Sequence, residues 1–149
     1  MNETMNLAAK IGSILYVLWG LVHVEAALEV YRLGSRLEEG MVRGRVLQVA
    51  WNLLFAALFA IVVGVILNWK NNRPGYWVNL VVVSATDLGF IVLVLIPGYM
   101  PIVPGGLGPL LWVLALLFST IGIRGGDAGL IPTTAPAGGI GGKDTKQIA

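Results

Sequence analysis

Residues 46–69 read VLQVAWNLLFAALFAIVVGVILNW, a stretch without a single Asp, Glu, Lys or Arg. A helix needs about 20 predominantly apolar residues to cross the roughly 30 Å hydrocarbon core of a bilayer. Two further stretches have the same character: residues 75–96 contain one charged residue, Asp87, and residues 98–123 contain none. These runs predict membrane-spanning helices, and they decide the fold class as all-α and integral to a membrane.

The composition of the 149-residue chain agrees with this assignment. Hydrophobic residues make up 56% of the chain and charged residues 12%, whereas soluble domains carry about 25% charge. There is no cysteine, which excludes disulfides, thiol chemistry and thiolate metal sites. The net charge of +2 comes from scattered Lys and Arg, so we expect no nucleic-acid partner.

The apolar runs predict a four-helix transmembrane bundle that forms one domain, residues 1–124. Residues 125–149 are rich in Gly, Pro and Thr, a composition that predicts a flexible C-terminal tail. The first apolar segment ends near a weak signal-peptide cleavage pattern, but we expect it to be retained as a span. The four spans are expected at about residues 7–28, 46–69, 75–96 and 107–123.

Lys and Arg residues divide evenly between the two ends of this bundle. One end carries Lys10, Lys70, Arg73 and Arg124, and the other carries Arg32, Arg36, Arg43 and Arg45. Lys143 and Lys146 tilt the positive-inside count toward the end with both termini. We therefore expect both termini in the cytoplasm and the protein in the inner (cytoplasmic) membrane of a prokaryote.

The segment LWGLVHVEAALEV, residues 18–30, contains the only histidine, His23, close to Glu25 and Glu29. Two residues correspond to about 200° of helical rotation, so His23 and Glu25 point to nearly opposite faces. We expect His23 to point into the bundle and the two glutamates to lie at the headgroups. The His23 face carries small and amphipathic residues, as helix contacts in membranes do: Gly12, Tyr16, Trp19, Gly20 and Ala27.

Asp87 is the sharpest functional signal, because a carboxyl at mid-bilayer is costly unless it is neutral, paired or hydrated. On the helical rise of about 1.5 Å per residue, it lies roughly 15 Å before Pro97, near the midplane. His23, Gln48 and Asn52 are expected about one turn away, toward the loop between spans 1 and 2. The sequence thus predicts a polar pocket with these candidate ligand-binding residues: His23, Gln48, Asn52, Asp87, Trp19, Tyr16 and Ser84.

The same residues also have structural interpretations. Asp87 could hold two helices together by a hydrogen bond to Asn52 or Ser84, and His23 could bond a helix carbonyl. No motif assigns a catalytic residue; His23 and Asp87 are the candidates for proton transfer. One histidine without cysteine or a second inward carboxylate is a poor metal site, so no metal or cofactor is predicted. Haem on His23 would need a partner to supply the second ligand.

Three functions remain open, and whether the protein is an enzyme is left undecided. The leading hypothesis is a membrane protein that binds or transports a small apolar or amphipathic ligand in an intramembrane pocket. In one form of this hypothesis, binding or transport is coupled to uptake or release of a proton. The first alternative is a non-catalytic accessory or structural subunit of a larger membrane complex. The second is a membrane-embedded acid/base enzyme, an isomerase or hydrolase acting on a lipid-like substrate. Besides the lipid bilayer, a homo-oligomer or larger membrane complex is expected as partner. Ala56, Ala60 and Gly64 form a small-residue seam for packing either within the chain or between subunits.

Overall fold

The computed structural model describes residues 3–128; most of these residues are helical, and none of them forms a strand. Four segments are long and apolar enough to cross a membrane: Leu7–Ser35, Met41–Lys70, Arg73–Leu95 and Ile102–Gly125. The expected four-span, all-α bundle is therefore confirmed, while the predicted tail lies outside the described residues from position 129 onward. The elements are α1 (Glu3–Ser35), α2 (Met41–Ile66), a 3₁₀ turn (Asn68–Lys70), α3 (Arg73–Phe90), a π-helical turn (Ile91–Leu95), the short α4 (Ile102–Gly105) and α5 (Leu107–Ala128).

The four spans pack as a ring in which α1 and α3 are diagonal partners. α1 packs on α2 and α5, and α3 packs on the same two helices, more loosely. Short connections make neighbouring spans antiparallel, so α1 and α3 run in the same direction. The first-loop end of the bundle carries residues 36–40 and 96–106, and the second-loop end carries residues 67–72. Inward side chains of α1 and α3 consequently meet at the bundle axis.

Close backbone approach between α1 and its neighbours depends on small residues. A side-chain carbon at Gly20 would lie 2.8 Å from the carbonyl oxygen of Ala57, so only a hydrogen fits between these helices. Nearer the second-loop end, the Ser13 hydroxyl donates a 2.6 Å hydrogen bond to the Gly64 carbonyl. In a membrane, where lipid tails are as apolar as leucine, such packing and interhelical hydrogen bonds hold helices together.

The second loop is fastened to the helices on both sides of it. The Asn72 side chain accepts a hydrogen bond from Gly75 N and caps α3, whose first turn contains Pro74. Asn71 adopts a left-handed conformation with φ 54°, which asparagine tolerates better than most residues. Its side-chain amide donates to the Gly122 carbonyl at 2.9 Å. These bonds place the loop across the end of α5.

The outer surface of the bundle is apolar, as lipid contact requires. Many large hydrophobic side chains are more exposed than buried, among them Trp51 at 68% and Val81 at 64%. Beyond the predicted first span, α1 continues to Ser35. In this extension Arg32 pairs with Glu29 and lies 3.6 Å from Glu25. Both glutamates are exposed. The polar extension of α1 therefore protrudes from the apolar belt.

Candidate functional site

Asp87 lies at the centre of the bundle, on the inner face of α3. The buried residues of this helix are spaced four apart: Gly75, Asn79, Val83 and Asp87. All four are buried and form the inner stripe of α3, which turns by about 40° around the helix at each step of four residues and faces the interior of the bundle. Asp87 itself is 0% exposed. A carboxyl group buried at this depth must be neutralised or bonded by its surroundings.

Trp19 and His23 occupy successive turns of α1 opposite Asp87, and both are buried. Their rings stack with centroids 3.8 Å apart and an interplanar angle of 25°. The Trp19 indole N–H donates to Asp87 Oδ2 at 2.7 Å. His23 Nδ1 lies 2.8 Å from the Trp19 carbonyl oxygen. The tryptophan therefore binds the carboxyl group with its side chain and orients the histidine with its ring and its backbone.

The arrangement of hydrogen-bond acceptors defines where protons can sit. A carbonyl oxygen can only accept, so His23 Nδ1 must carry a hydrogen. The other ring nitrogen, Nε2, faces Asp87 Oδ1 at 3.5 Å. Among the described residues, that oxygen has no hydrogen-bond partner although it is fully buried. Besides the hydrogen on Nδ1, a further proton on either Nε2 or Oδ1 would make that atom a hydrogen-bond donor to the other. The two residues therefore form a pair that can share one proton.

Gly108, in the first turn of α5, covers this pair. A side-chain carbon at this position would lie 2.7 Å from His23 Cε1, 3.2 Å from His23 Nε2 and 3.6 Å from Asp87 Oδ1. Only glycine lets the helix backbone close over the imidazole ring. Gly108 is not among the residues predicted from the sequence, because its role depends on how α5 approaches α1 and α3. Its position in a charge-free Gly/Pro segment was the only available signal.

The pair is electrostatically isolated within the membrane. The α2 stretch from residue 46 to 66 carries no ionisable side chain, and neither does the α5 stretch from residue 107 to 123. Along the inner part of α1 and α3, the other titratable groups are the phenols of Tyr16 and Tyr76. The nearest polar contacts of this pair are therefore the one between His23 and Asp87 and the hydrogen bonds with Trp19.

Two other predicted site residues lie beside the pair without bonding to it. Tyr16 is 0% exposed and packs in the core cluster with Trp19 and Val83, and its hydroxyl has no partner among the described side chains and backbone. Ser84 is half-buried and accepts a 3.0 Å hydrogen bond from the Trp112 indole. Ser84 thus joins α3 to α5 next to the site.

Gln48 and Asn52 are placed away from the pair. Both are exposed on α2, and Gln48 accepts a hydrogen bond from Arg45. The reason is geometric: residues four apart rotate by about 40° at each step, so Asn52 is about 80° and Gln48 about 120° from Ala60. Ala60 is on the buried face of α2, and the two amides have turned out of it.

No cluster of three or more His, Cys, Asp or Glu side chains exists among the described residues. His23 and Asp87 supply two groups, both of which are already engaged with each other or with Trp19. The arrangement is suited to holding and exchanging a proton in an apolar environment.

In comparisons with known proteins, no family model, no curated protein and no solved structure matches the chain. Function is therefore inferred from the geometry of this site.

Proposed function

We propose that this protein binds or transports a small apolar or amphipathic ligand within the membrane, and that the His23–Asp87 pair takes up or releases a proton as it does so. One observation carries the proposal. Asp87 Oδ1 is fully buried and has no hydrogen-bond donor among residues 3–128, and it lies 3.5 Å from a histidine nitrogen. A site that only joined helices would gain more from a fully bonded carboxyl group.

The surroundings of the pair favour an apolar or amphipathic ligand. Between Asp87 and Arg124 the chain has no charged residue. The connection that follows α3 exposes large hydrophobic side chains, including Tyr99 at 81% and Val103 at 86%. A molecule approaching the pair from the first-loop end or from the bilayer would cross this apolar surface. A strongly charged solute would lose its hydration there without compensation.

Access to the pair requires part of the bundle to move, because Gly108 and Trp19 cover it. The part best suited to move is α3, which is the least buried span. Four residues after Asp87 the helix changes to a π-helical turn, Ile91–Leu95, a distortion that often occurs at functional sites. Displacement of this segment would expose Asp87 while α1, packed between α2 and α5, keeps His23 and Trp19 in place.

The proposal is tested by extraction of the full-length protein in mild detergent and native mass spectrometry at several pH values. We expect a small molecule of low polarity to co-purify with the wild type, to be lost in Asp87→Asn, and to vary in occupancy between about pH 5 and 8. Glu25→Gln removes an exposed carboxyl group from the neighbouring turn of α1 and is the matched control. Occupancy that does not respond to Asp87→Asn or to pH contradicts the proposal.

An acid/base enzyme is the second candidate, favoured by the distance between His23 and Asp87. Two groups 3.5 Å apart can act as acid and base on one bound molecule. Incubation of reconstituted protein with membrane lipid extract in D₂O would incorporate deuterium into a substrate that the enzyme isomerises. Incorporation by wild type and its loss in Asp87→Asn would favour the enzyme over the binding protein.

For the cellular context, we propose the inner membrane of a prokaryote with both termini cytoplasmic, supported by the lysines of the tail. Reporter fusions to the C-terminus test this orientation. A homo-oligomer or a larger complex remains part of the proposal on the basis of the exposed apolar surface, and the intact mass of the natively purified assembly tests it. A stable monomer in mild detergent contradicts that part.

A further inference from the structure

A second group of buried polar atoms lies near the second-loop end, outside the His23–Asp87 pair. Asn68 and Ser119 are each 5% exposed. Neither the two amide atoms of Asn68 nor the hydroxyl of Ser119 has a hydrogen-bond partner in the described part of the chain. Buried polar groups without partners are costly, and most of all inside a membrane. Three such atoms at one place indicate that they bind something small and polar.

The structure has a cavity at this position. Its volume is about 10 Å³, and Asn68, Ser119 and Tyr76 are among the residues that line it. A water molecule needs about 10–15 Å³ and two to four polar partners, and the unpartnered atoms of Asn68 and Ser119 supply them. The cavity is also lined by Asn72, which is exposed on the second loop. Water can therefore enter from this end of the bundle.

The inner stripe of α3 leads from this cavity to Asp87. A side-chain carbon at Gly75 would lie 2.6 Å from Asn68 Oδ1, so Asn68 is held against the start of the stripe. Asn79 follows about 6 Å further along the helix and Asp87 about 12 Å beyond it. Asn79 is 0% exposed, and both atoms of its amide lack partners within the described residues. Unpartnered polar atoms thus continue from the cavity toward the pair.

One apolar layer separates Asn79 from Asp87. It is formed around Val83, which packs in the core cluster with Tyr16. Tyr16 packs in this cluster, and its buried hydroxyl also lacks a hydrogen-bond partner within the described part of the chain.

We infer that water molecules bind at Asn68, Ser119 and Asn79 and form a path past Val83 and Tyr16. By this path the His23–Asp87 pair exchanges protons with the water at the second-loop end of the bundle. The water sites are inferred only from the unpartnered polar atoms of Asn68, Ser119 and Asn79 and from the cavity beside the first two. The transfer of protons to the pair rests on the proposed function. On this arrangement protons reach the pair from one end of the bundle, and the ligand reaches it from the other end or from the bilayer.

The native chain has no cysteine, so single cysteines can report water along the path without removal of others. The variants are Ser119→Cys and Asn79→Cys, with Leu117→Cys and Val81→Cys as matched controls. Each control lies two residues away on the same helix and faces lipid, at 54% and 64% exposure. In liposomes, Ag⁺ is small enough to follow water and reacts with the thiolate, which forms only where water reaches the thiol.

We expect Ag⁺ to react with the thiols of Ser119→Cys and Asn79→Cys at least about tenfold faster than with those of the lipid-facing controls. Equal rates at the four positions overturn the water path. A measurement on the wild type does not depend on any substitution: NMR of protein labelled at asparagine should show exchange between water and the side-chain amides of Asn68 and Asn79. Absence of this exchange also overturns it.

The last step is tested by Tyr16→Phe, which removes only the hydroxyl. We expect slower deuterium exchange of the His23 ring hydrogen, while Ag⁺ reactivity of Asn79→Cys in the same background stays unchanged. Unchanged exchange at His23 overturns the role of Tyr16. If Ag⁺ reacts with the cysteines as expected but the ¹⁵N spectrum of His23 does not change with pH, the proposed function is contradicted and the water sites are supported.

Discussion

The indole nitrogen of Trp19 donates to Asp87 Oδ2 at 2.7 Å, joining the first span to the third across the middle of the bundle. α1 and α3 are diagonal partners, so this bond bridges helices whose backbones touch little. Because Trp19 also stacks on His23, any movement of α3 that breaks the bond changes the surroundings of both ionisable groups. Trp19 therefore couples the position of α3 to the state of the pair.

Trp19→Phe should destabilise the bundle by about 1–2 kcal/mol, because it removes the donor and leaves Asp87 Oδ2 buried without a partner. The free energy of unfolding in mixed detergent micelles, followed by circular dichroism, measures this effect. Trp51→Phe is the control, since Trp51 is 68% exposed on the lipid side. Equal stabilities of the two variants would show that the bond contributes nothing.

A combined Trp19→Phe and Asp87→Leu variant should lose less stability than the sum of the two single variants, because no buried acceptor is left unpaired. Strictly additive losses would contradict a direct coupling between these two side chains.

In the neutral form of its ring, His23 should carry the hydrogen on Nδ1. The Trp19 carbonyl 2.8 Å from Nδ1 can only accept a hydrogen bond, and it selects this form. As His23 is the only histidine of the chain, ¹⁵N NMR of protein labelled at the imidazole nitrogens gives signals from this residue alone. A neutral ring with its hydrogen on Nε2 would mean that the pair is arranged differently.

How much of this structure could be predicted depends on how local each signal is. The spans follow from charge-free runs, because hydrocarbon excludes charge whatever the neighbouring helices do. The opposite orientations of His23 and Glu25 follow from helical rotation within α1, and the structure confirms them: His23 is buried and Glu25 is exposed.

Features that depend on two helices were harder to predict. Counting in fours along α2 predicts Gln48 and Asn52 on the same face as Ala60. Each step of four residues adds a rotation of about 40°, however, so that both side chains point away from that face. Asn79 is buried on α3 as Asp87 is, but the eight residues between them correspond to about 80° of rotation, so counting in fours did not identify it. Gly108 could not be found in this way, because only the approach of α5 to His23 gives it a role.

Gly20→Ala should destabilise the contact between α1 and α2 by about 1–3 kcal/mol, because the added methyl group meets packed backbone. It would lie 2.8 Å from the Ala57 carbonyl oxygen. Gly44→Ala is the matched control, as nothing lies within 4 Å of a side-chain carbon there. Thermal unfolding of the reconstituted variants measures the difference. A Gly20→Ala protein as stable as Gly44→Ala would show that the helices can separate at this point without cost.

Gly108→Ala should disturb the His23–Asp87 pair itself. Its methyl group would lie 2.7 Å from His23 Cε1, and the imidazole ring cannot move away freely because it stacks on Trp19 and bonds the helix backbone. We expect a changed ¹⁵N spectrum of His23, loss of the pH dependence of ligand occupancy, and a stability loss of about 1–3 kcal/mol.

Gly89→Ala controls for the substitution, because this glycine is two residues from Asp87 and nothing lies within 4 Å of a carbon added there. That variant should leave the His23 spectrum unchanged and should stabilise α3 by up to about 1 kcal/mol through helix propensity. If Gly108→Ala and Gly89→Ala give the same His23 spectrum, the close contact of α5 with the imidazole ring is absent from the working protein. The pair would then be open to ligands without movement of α3.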